Sequence, residues 1–245
     1  MRQADSTIKG YLYQFNKSIY ELLCLSDEKT LILEGVIEDI DILSPSCTTT
    51  IQCKYHEDKK FLISRVAVPI IEMLCNFIET SYIGKDIKYV LYAYFDDNIE
   101  DIDKSDFINF IETTQDKDIL VKYFHRIFVV PDPMIINIAN KGRKSSNDKN
   151  TIINYYKENR SSLLLRIDIN DFWNCFKYEK ANKYEELYHL IINKFEEITD
   201  TAKSLYYPNA LSFVSSRSAK KDVNERTVSR KLLLTFFRTT ENSVT

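Results

Sequence analysis

Glycine and proline are scarce in this chain, at 4 and 5 of 245 residues. Together with 44% hydrophobic, 13% aromatic and 28% charged residues, that scarcity excludes fibrous and intrinsically disordered classes and describes a chain able to bury a sizeable core. Histidine occurs only three times (His56, His125, His189), far apart, and no CxxC pair is present, so a structural zinc site is not expected. The five cysteines (Cys24, Cys47, Cys53, Cys75, Cys175) are odd in number and scattered through hydrophobic runs. Free, buried, non-catalytic thiols in a reducing compartment are expected. No apolar run approaches the roughly 18 to 20 residues that span a bilayer, and MRQADSTIKG lacks the apolar core of a signal peptide. A soluble, cytoplasmic protein with no membrane partner is expected. Nor is there a glycine-supported nucleophile elbow, which speaks against a serine or cysteine hydrolase. The net charge of −3 argues against a surface that clings to nucleic acid everywhere, yet it leaves room for a local basic patch beside an acidic metal site.

What is present is a clear alternation of helical and strand-like patterns. Ile8, Leu12, Phe15, Ile19 and Leu22/Leu23 recur at helical spacing, with Asp5 or Ser6 as N-cap, and predict an amphipathic helix over 8–23. TLILEG (30–35), EDIDIL (38–43) and TIQCKYH (50–56) have the β-branched content and partial alternation of three consecutive strands, with SPSCTT supplying a turn. SRVAVPIIEMLCNFIETSY (64–82) is apolar around most of its circumference and predicts a largely buried helix, with Pro69 in the first turn or at a kink. IKYVLYAYF (87–95) predicts a strand covered on both faces.

Beyond Asp96 the pattern predicts helices over 105–114 and 117–126, a short strand over 127–130 ended by the PDP of 131–133, and an exposed loop or linker over 140–150. A helix over 151–158, a strand over 162–167, a helix over 183–198 and apolar periodicity over 228–237 follow. TTENSVT at 239–245 reads as an unstructured tail, and no internal repeat is present. An α/β domain over 1–135 followed by a mostly helical extension over 136–245 is the expected organisation.

The chemistry concentrates in LEGVIEDIDILSPSCTTTIQCKYH, residues 33–56. Residues two apart on a strand share a face, so Asp39 and Asp41 point together, as do Gln52 and Lys54. Symmetry about a turn at 45–47 pairs Asp41 with Gln52 and Asp39 with Lys54 and gathers all four on one surface. Converging carboxylates supply hard oxygen ligands for Mg²⁺ or Mn²⁺, and a neighbouring lysine can orient water and stabilise charge developing on a phosphate. Without metal, such carboxylates repel one another and their pKa values rise.

These residues resemble the PD-(D/E)xK nuclease superfamily, whose core runs helix, three-stranded meander, helix, strand, with an acid, a second acid and a (D/E/Q)-x-K triplet. Glu34, Asp39 with Asp41 close by, and Gln52-Cys53-Lys54 stand at those places. More narrowly, GYLYQFNKSIYELL, LEGVIEDIDI and IQCKYH resemble the double-stranded-DNA endonuclease effector domain of bacterial antiphage systems, CBASS and Lamassu-type three-component systems among them. The likeness covers about residues 8–95. Gln52 departs from the usual second acid of the triplet. The resemblance implies a restriction-endonuclease-like core and cleavage of duplex DNA with little sequence preference. It implies Asp39 and/or Asp41 as metal ligands, Glu34 as a metal-binding or supporting carboxylate and Lys54 as the water-orienting residue. Gln52 would offer an oxygen near the metal, and Gln14 would contact the site or the DNA backbone. Control by self-association, or by an ATPase, SMC-like or sensor subunit, is implied as well. The alternative is a catalytically inactive subunit that keeps the fold to bind DNA or protein.

Other residues have plainer roles. Glu38 reads as a surface carboxylate, His56 as a solvated strand-end residue and Trp173 as a core anchor. SRSAKKDVNERTVSRK (216–231) carries Arg217, Lys220, Lys221, Arg226, Arg230 and Lys231 at helical spacing, able either to grip phosphates or to form a solvated face of a terminal helix or an oligomer contact.

Overall fold

The computed structural model describes residues 2–57, 59–81, 86–97, 99–128, 130–198 and 203–242. Helix α1 (Arg2–Cys24) is followed by strands β1 (Thr30–Leu33), β2 (Ile40–Leu43) and β3 (Thr48–His56), helix α2 (Ile63–Ser81) and strand β4 (Ile87–Phe95). Six helices follow: α3 (Lys104–Thr113), α4 (Lys117–Lys122), α5 (Phe124–Ile127), α6 (Pro133–Ala139), α7 (Ser146–Leu164) and α8 (Ile169–Cys175). The chain closes with β5 (Phe176–Lys180), α9 (Tyr184–Ile198), α10 (Lys203–Ser218), α11 (Val223–Arg226), β6 (Thr227–Val228) and α12 (Arg230–Asn242). This is an α/β protein with a mixed, open, six-stranded sheet in the order β5-β4-β3-β2-β1-β6. Up to Phe95 the order of elements is the expected helix, three strands, helix, strand. No described helix is long and apolar enough to cross a membrane.

The chain forms two compact units, and neither is continuous in sequence. One comprises Met1–Lys60, Asp86–Glu100 and Lys177–Thr245; the other comprises Phe61–Lys85 and Asp101–Phe176. A single cut at 135/136 therefore does not separate them. The reason lies in the first unit, where the C-terminal segment supplies both edges of the sheet and three of the helices packed with α1.

In that unit β1, β2 and β3 form an antiparallel meander, β3 runs parallel to β4, and β6 pairs antiparallel with β1. Alternation sorts the strand side chains. Leu31, Leu33, Ile40, Ile51, Cys53, Val90 and Tyr92 join one apolar core with Tyr13, Ile19, Leu22 and Leu23 of α1 and with Leu187, Ile191, Phe195, Phe213 and Phe237 from the C-terminal helices. Asp41, Thr50, Gln52 and Lys54 alternate with them and so face the other side of the sheet. Tyr13 donates its hydroxyl proton to the Asn182 carbonyl at 2.7 Å, tying α1 to the segment that follows β5. Lys17 is 3% exposed, with Glu21 at 2.8 Å, Glu179 at 3.1 Å and the Tyr92 ring centroid at 3.8 Å from its ammonium. Burial alone would lower its pKa, but Glu21, Glu179 and Tyr92 outweigh that and hold it above the usual lysine value.

The second unit is helical among its described residues. Phe107, Phe124, Tyr156 and Phe172 are fully buried, and Trp173 packs on Phe107 and Phe176 with ring centroids 5.6 and 4.8 Å away, as expected of a core anchor. Arg160 reaches from α7 to the carbonyls of Glu112 and Thr114.

Several expectations are corrected. Residues 162–164 finish α7 and form no strand: Ile152, Tyr156, Arg160 and Leu163 make one buried helical stripe, and leucine is a good helix former. Ile127 closes α5 and Phe128 is its extended cap; Val129 lies outside the described residues. The loop at 140–150 gives way to helix at Ser146, because Ser145 and Asp148 form a reciprocal capping box. Helix α1 starts at Arg2, so Asp5 and Ser6 lie inside it. Residues 239–242 belong to α12, and 243–245 lie outside the described residues, as does Tyr82. Pro69 sits inside α2 beyond its first turn, where it cannot donate to the Arg65 carbonyl. All five cysteines are free, but only Cys53 and Cys75 are buried, and Cys24 is exposed. Burial pushes the Cys75 thiol up to about 12.

Phe195 of α9 is 1% exposed, with Tyr206 and Phe237 at centroid distances of 5.9 and 5.8 Å. Phe195→Ala is expected to lower the unfolding free energy by about 3–5 kcal/mol in urea, with the sheet amides losing protection in the same transition. Separate unfolding of residues 177–242 ahead of the sheet would contradict the shared core.

Candidate active site

Strand β1 ends at Leu33, and the next residue turns sharply: Glu34 has φ 46°, the left-handed region that non-glycine side chains seldom adopt. The chain then winds around one carboxylate. Asp41 Oδ2 accepts the backbone N–H groups of Val36 at 2.7 Å and Ile37 at 3.0 Å, and Oδ1 faces that of Glu38 at 3.4 Å. Gly35 donates to the Asp39 carbonyl at 3.2 Å. A Cβ on Gly35 would stand 2.6 Å from Asp41 Cγ, Asp41 Oδ2 and the Glu38 carbonyl oxygen, so no larger residue fits without displacing the loop. Asp41 is 2% exposed, and its oxygens serve the loop.

The hairpin register differs from the expected one by two residues. Asp41 pairs with Thr50 and Ile40 with Ile51, because Ser44 and Cys47 close a turn one residue earlier than symmetry about 45–47 suggests. An even slip leaves every side chain on its expected face. It changes the neighbours: Asp39, just before β2, comes to Gln52 and Cys53 and not opposite Lys54. Its Oδ2 accepts the Cys53 backbone N–H at 2.8 Å and the Gln52 side-chain amide. Oδ1 receives no donor among the described residues. Gln14 of α1 donates to Glu34 Oε1 at 3.0 Å. Glu34, Asp39, Gln52, Lys54 and Gln14 are thus gathered at one end of β1–β3, whereas Asp41 lies behind them.

Electrostatics single out the same two acids. Burial and the nearby charge of Asp39 raise the Glu34 pKa, against the pull of the Arg226 guanidinium and the Gln14 amide. Burial raises that of Asp39, opposed by the Cys53 N–H, the Lys54 charge and Gln52, with Asp41 adding to the rise. These are desolvated carboxylates that lack a full complement of positive charge. Lys54, half-buried, makes no hydrogen bond or ion pair among the described residues and acts on Asp39 through its charge. The described residues contain no group of three or more His, Cys, Asp or Glu side chains disposed around a metal position. The donors on hand for a cation are Glu34, Asp39 and an oxygen of Gln52. That set suits Mg²⁺, which binds through one or two carboxylates and completes its shell with water and substrate phosphate.

No family model, no curated protein and no solved structure matches this chain.

The basic segment of 216–231 is not one helix. It spans the end of α10, a turn, α11, β6 and the start of α12. Lys220 lies 3.8 Å from Glu225, Lys221 is exposed, and Arg230 is half-buried on α12. Arg226 turns inward and donates to the carbonyls of Leu33 and Glu34. Helical spacing in the sequence conceals this role, and the only sign of it is the β-branched pair Thr227-Val228 that interrupts the basic run. Glu38 is half-buried in the loop, and the His56 ring stacks on Phe95 with centroids 4.8 Å apart.

Two substitutions separate the loop carboxylate from the site carboxylates. Asp41→Asn is expected to cost about 1.5–3 kcal/mol, the worth of hydrogen bonds to a charged group, and unchanged thermal unfolding would refute the loop role. Glu34→Gln is expected to raise the melting temperature at pH 7. A carboxyl whose folded pKa lies above its unfolded value weakens the fold as pH climbs through that interval, and glutamine keeps the bond from Gln14 without the charge. The gain should vanish below about pH 4, where the carboxyl is protonated in both states. A Glu34→Gln protein less stable than wild type at pH 7 would count against it.

Proposed function

We propose that this chain is a metal-dependent endonuclease that cleaves double-stranded DNA with little sequence preference, as a cytoplasmic effector of antiphage defence built on a restriction-endonuclease-like core. The observation that carries the reading is the pairing of two desolvated carboxylates, Glu34 and Asp39, beside Gln52-Cys53-Lys54 on β3. Mg²⁺ or Mn²⁺ held by Asp39 and Glu34, with Gln52 contributing an oxygen, would polarise a phosphoryl group and acidify a water. Lys54, with no hydrogen bond or ion pair among the described residues and its charge felt by Asp39, would neutralise charge developing on the phosphate and orient the attacking water. Gln14 fixes the direction of the Glu34 carboxylate, and the Cys53 N–H and the Gln52 amide fix that of Asp39. Asp41 supports the loop, so in this reading Asp39 is the ligand of the two. Self-association, or an ATPase, SMC-like or sensor subunit, would restrain the activity.

A second reading rests on the small number of acids. With Asp41 committed to the loop, two carboxylates remain, as in a nuclease fold retained to bind DNA or protein. Supercoiled plasmid incubated with Mg²⁺, Mn²⁺ or EDTA decides between them. Wild type is expected to nick or linearise the plasmid only with metal, and Lys54→Ala and Asp39→Asn are expected to lose roughly 10²-fold or more in rate. Wild-type protein as inert as Lys54→Ala with every metal, including when its assembly partner is supplied, would leave the binding subunit as the answer.

A further inference from the structure

The candidate site is completed by a residue some 190 positions downstream of it. Strand β6 pairs with β1 only at Leu31 and Ile32, so the ladder stops before the chain reaches Leu33 and Glu34. At that point the edge carbonyls need another donor. Arg226, the last residue of α11, provides it: Nη1 donates to the Leu33 carbonyl at 3.3 Å and to the Glu34 carbonyl. Its own position is fixed by a set of local bonds. The Asp222 side chain caps α11 at Asn224 N, 2.9 Å away; Thr227 Oγ1 donates to the Val223 carbonyl at 2.8 Å; and Arg217 donates to the Glu225 carbonyl at 2.9 Å. Nε of Arg226 is buried without a hydrogen-bond partner among the described residues, so the bonds of the guanidinium to this segment are those of Nη1 to the two carbonyls, beside its charge attraction to the Glu34 carboxylate.

These bonds converge on the one non-glycine residue of positive φ among the described residues. Glutamate has no intrinsic preference for that conformation, and surrounding contacts must maintain it. Gln14 holds the Glu34 carboxylate and Arg226 holds its carbonyl. We propose that Arg226 is a positioning residue, which locks the Glu34 turn so that the carboxylate is presented beside Asp39, and that it is not a DNA-gripping residue. Its relevance to catalysis rests on the nuclease reading; its effect on the turn does not.

The test compares wild type, Arg226→Met and Arg226→Lys by three measurements. Metal-free hydrogen exchange reports the turn, duplex affinity in Ca²⁺ reports binding, and single-turnover plasmid cleavage reports the chemical step. Arg226→Met is expected to speed exchange of the 34–39 amides roughly tenfold, the equivalent of one hydrogen bond, with exchange elsewhere unchanged. Cleavage should slow by about 10²-fold, as for a misplaced reacting group, at unchanged duplex affinity. Arg226→Lys, keeping one donor, should fall between, and it carries the exchange measurement if Arg226→Met does not fold. Unchanged exchange at 34–39 in a folded variant overturns the proposal. So does a loss of duplex affinity with a flatter salt dependence and an intact cleavage rate, the behaviour of a phosphate contact. Faster exchange at 34–39 together with an inert wild type upholds the positioning role and removes the nuclease reading.

Discussion

One buried carboxylate sets the geometry of everything at this end of the sheet. Asp41 gathers the amides of residues 36–38, and that turn fixes where Glu34 leaves β1 and where Asp39 enters β2. A buried anion needs such donors, since an unpaired charge away from water is expensive. The three amides need it equally, because the strand ladder does not reach them. Gly35 makes the close approach possible, and Thr50, fully buried, pairs with Asp41 across the β2–β3 ladder. The acidic run is therefore a division of labour: Asp41 faces inward and holds the loop, and the loop holds Glu34 and Asp39 where they remain short of compensating charge.

That shortage is what gives the pair chemical interest. Two carboxylates raised by desolvation weaken the fold at neutral pH, and a chain keeps such a feature at little gain to its own stability. Nearby groups moderate it without cancelling it: Lys54 and Arg226 through charge, Gln14, Gln52 and the Cys53 N–H through hydrogen bonds. Elsewhere in the same unit Lys17 follows the opposite rule, with two carboxylates and an aromatic face more than offsetting its burial. The contrast separates a buried charge that the fold satisfies from two half-buried carboxyls whose pKa values stay raised.

The first half of the fold is legible in the sequence because its signals are local. The apolar spacing of α1, the β-branched runs of β1–β4 and the largely apolar circumference of α2 each point to one element. The short edge strands escape notice, since FKYEK and Thr227-Val228 carry little pattern and owe their pairing to neighbours remote in sequence. SLLLRI reads as a strand in isolation, yet its first three residues end a helix and Leu163 completes a buried stripe begun at Ile152. At the site, the residue types and their shared face are legible. The register and the separation of Asp39 from Asp41 are not: both follow from the Ser44–Cys47 turn and from which carboxylate meets free amides, and neither alternation nor spacing encodes them. The role of Arg226 leaves no trace beyond the Thr227-Val228 interruption for the same reason, its partners being backbone carbonyls that any sequence would possess.

The placement of β6 has a consequence for biosynthesis. The strand that covers the outer edge of β1 lies near residue 228, so a ribosome delivers it long after β1–β4 have emerged. Until then the nascent meander presents an open row of peptide groups, the kind of edge that recruits other chains, and of the helices over its apolar face only α1 has been made. Closure must wait for contacts of very large sequence separation, which makes the last step of folding slow and dependent on protection of the unfinished sheet. The same delay means that the turn bearing Glu34 acquires its guanidinium anchor only once synthesis has passed residue 226, so the carboxylate pair matures late in the life of the growing chain.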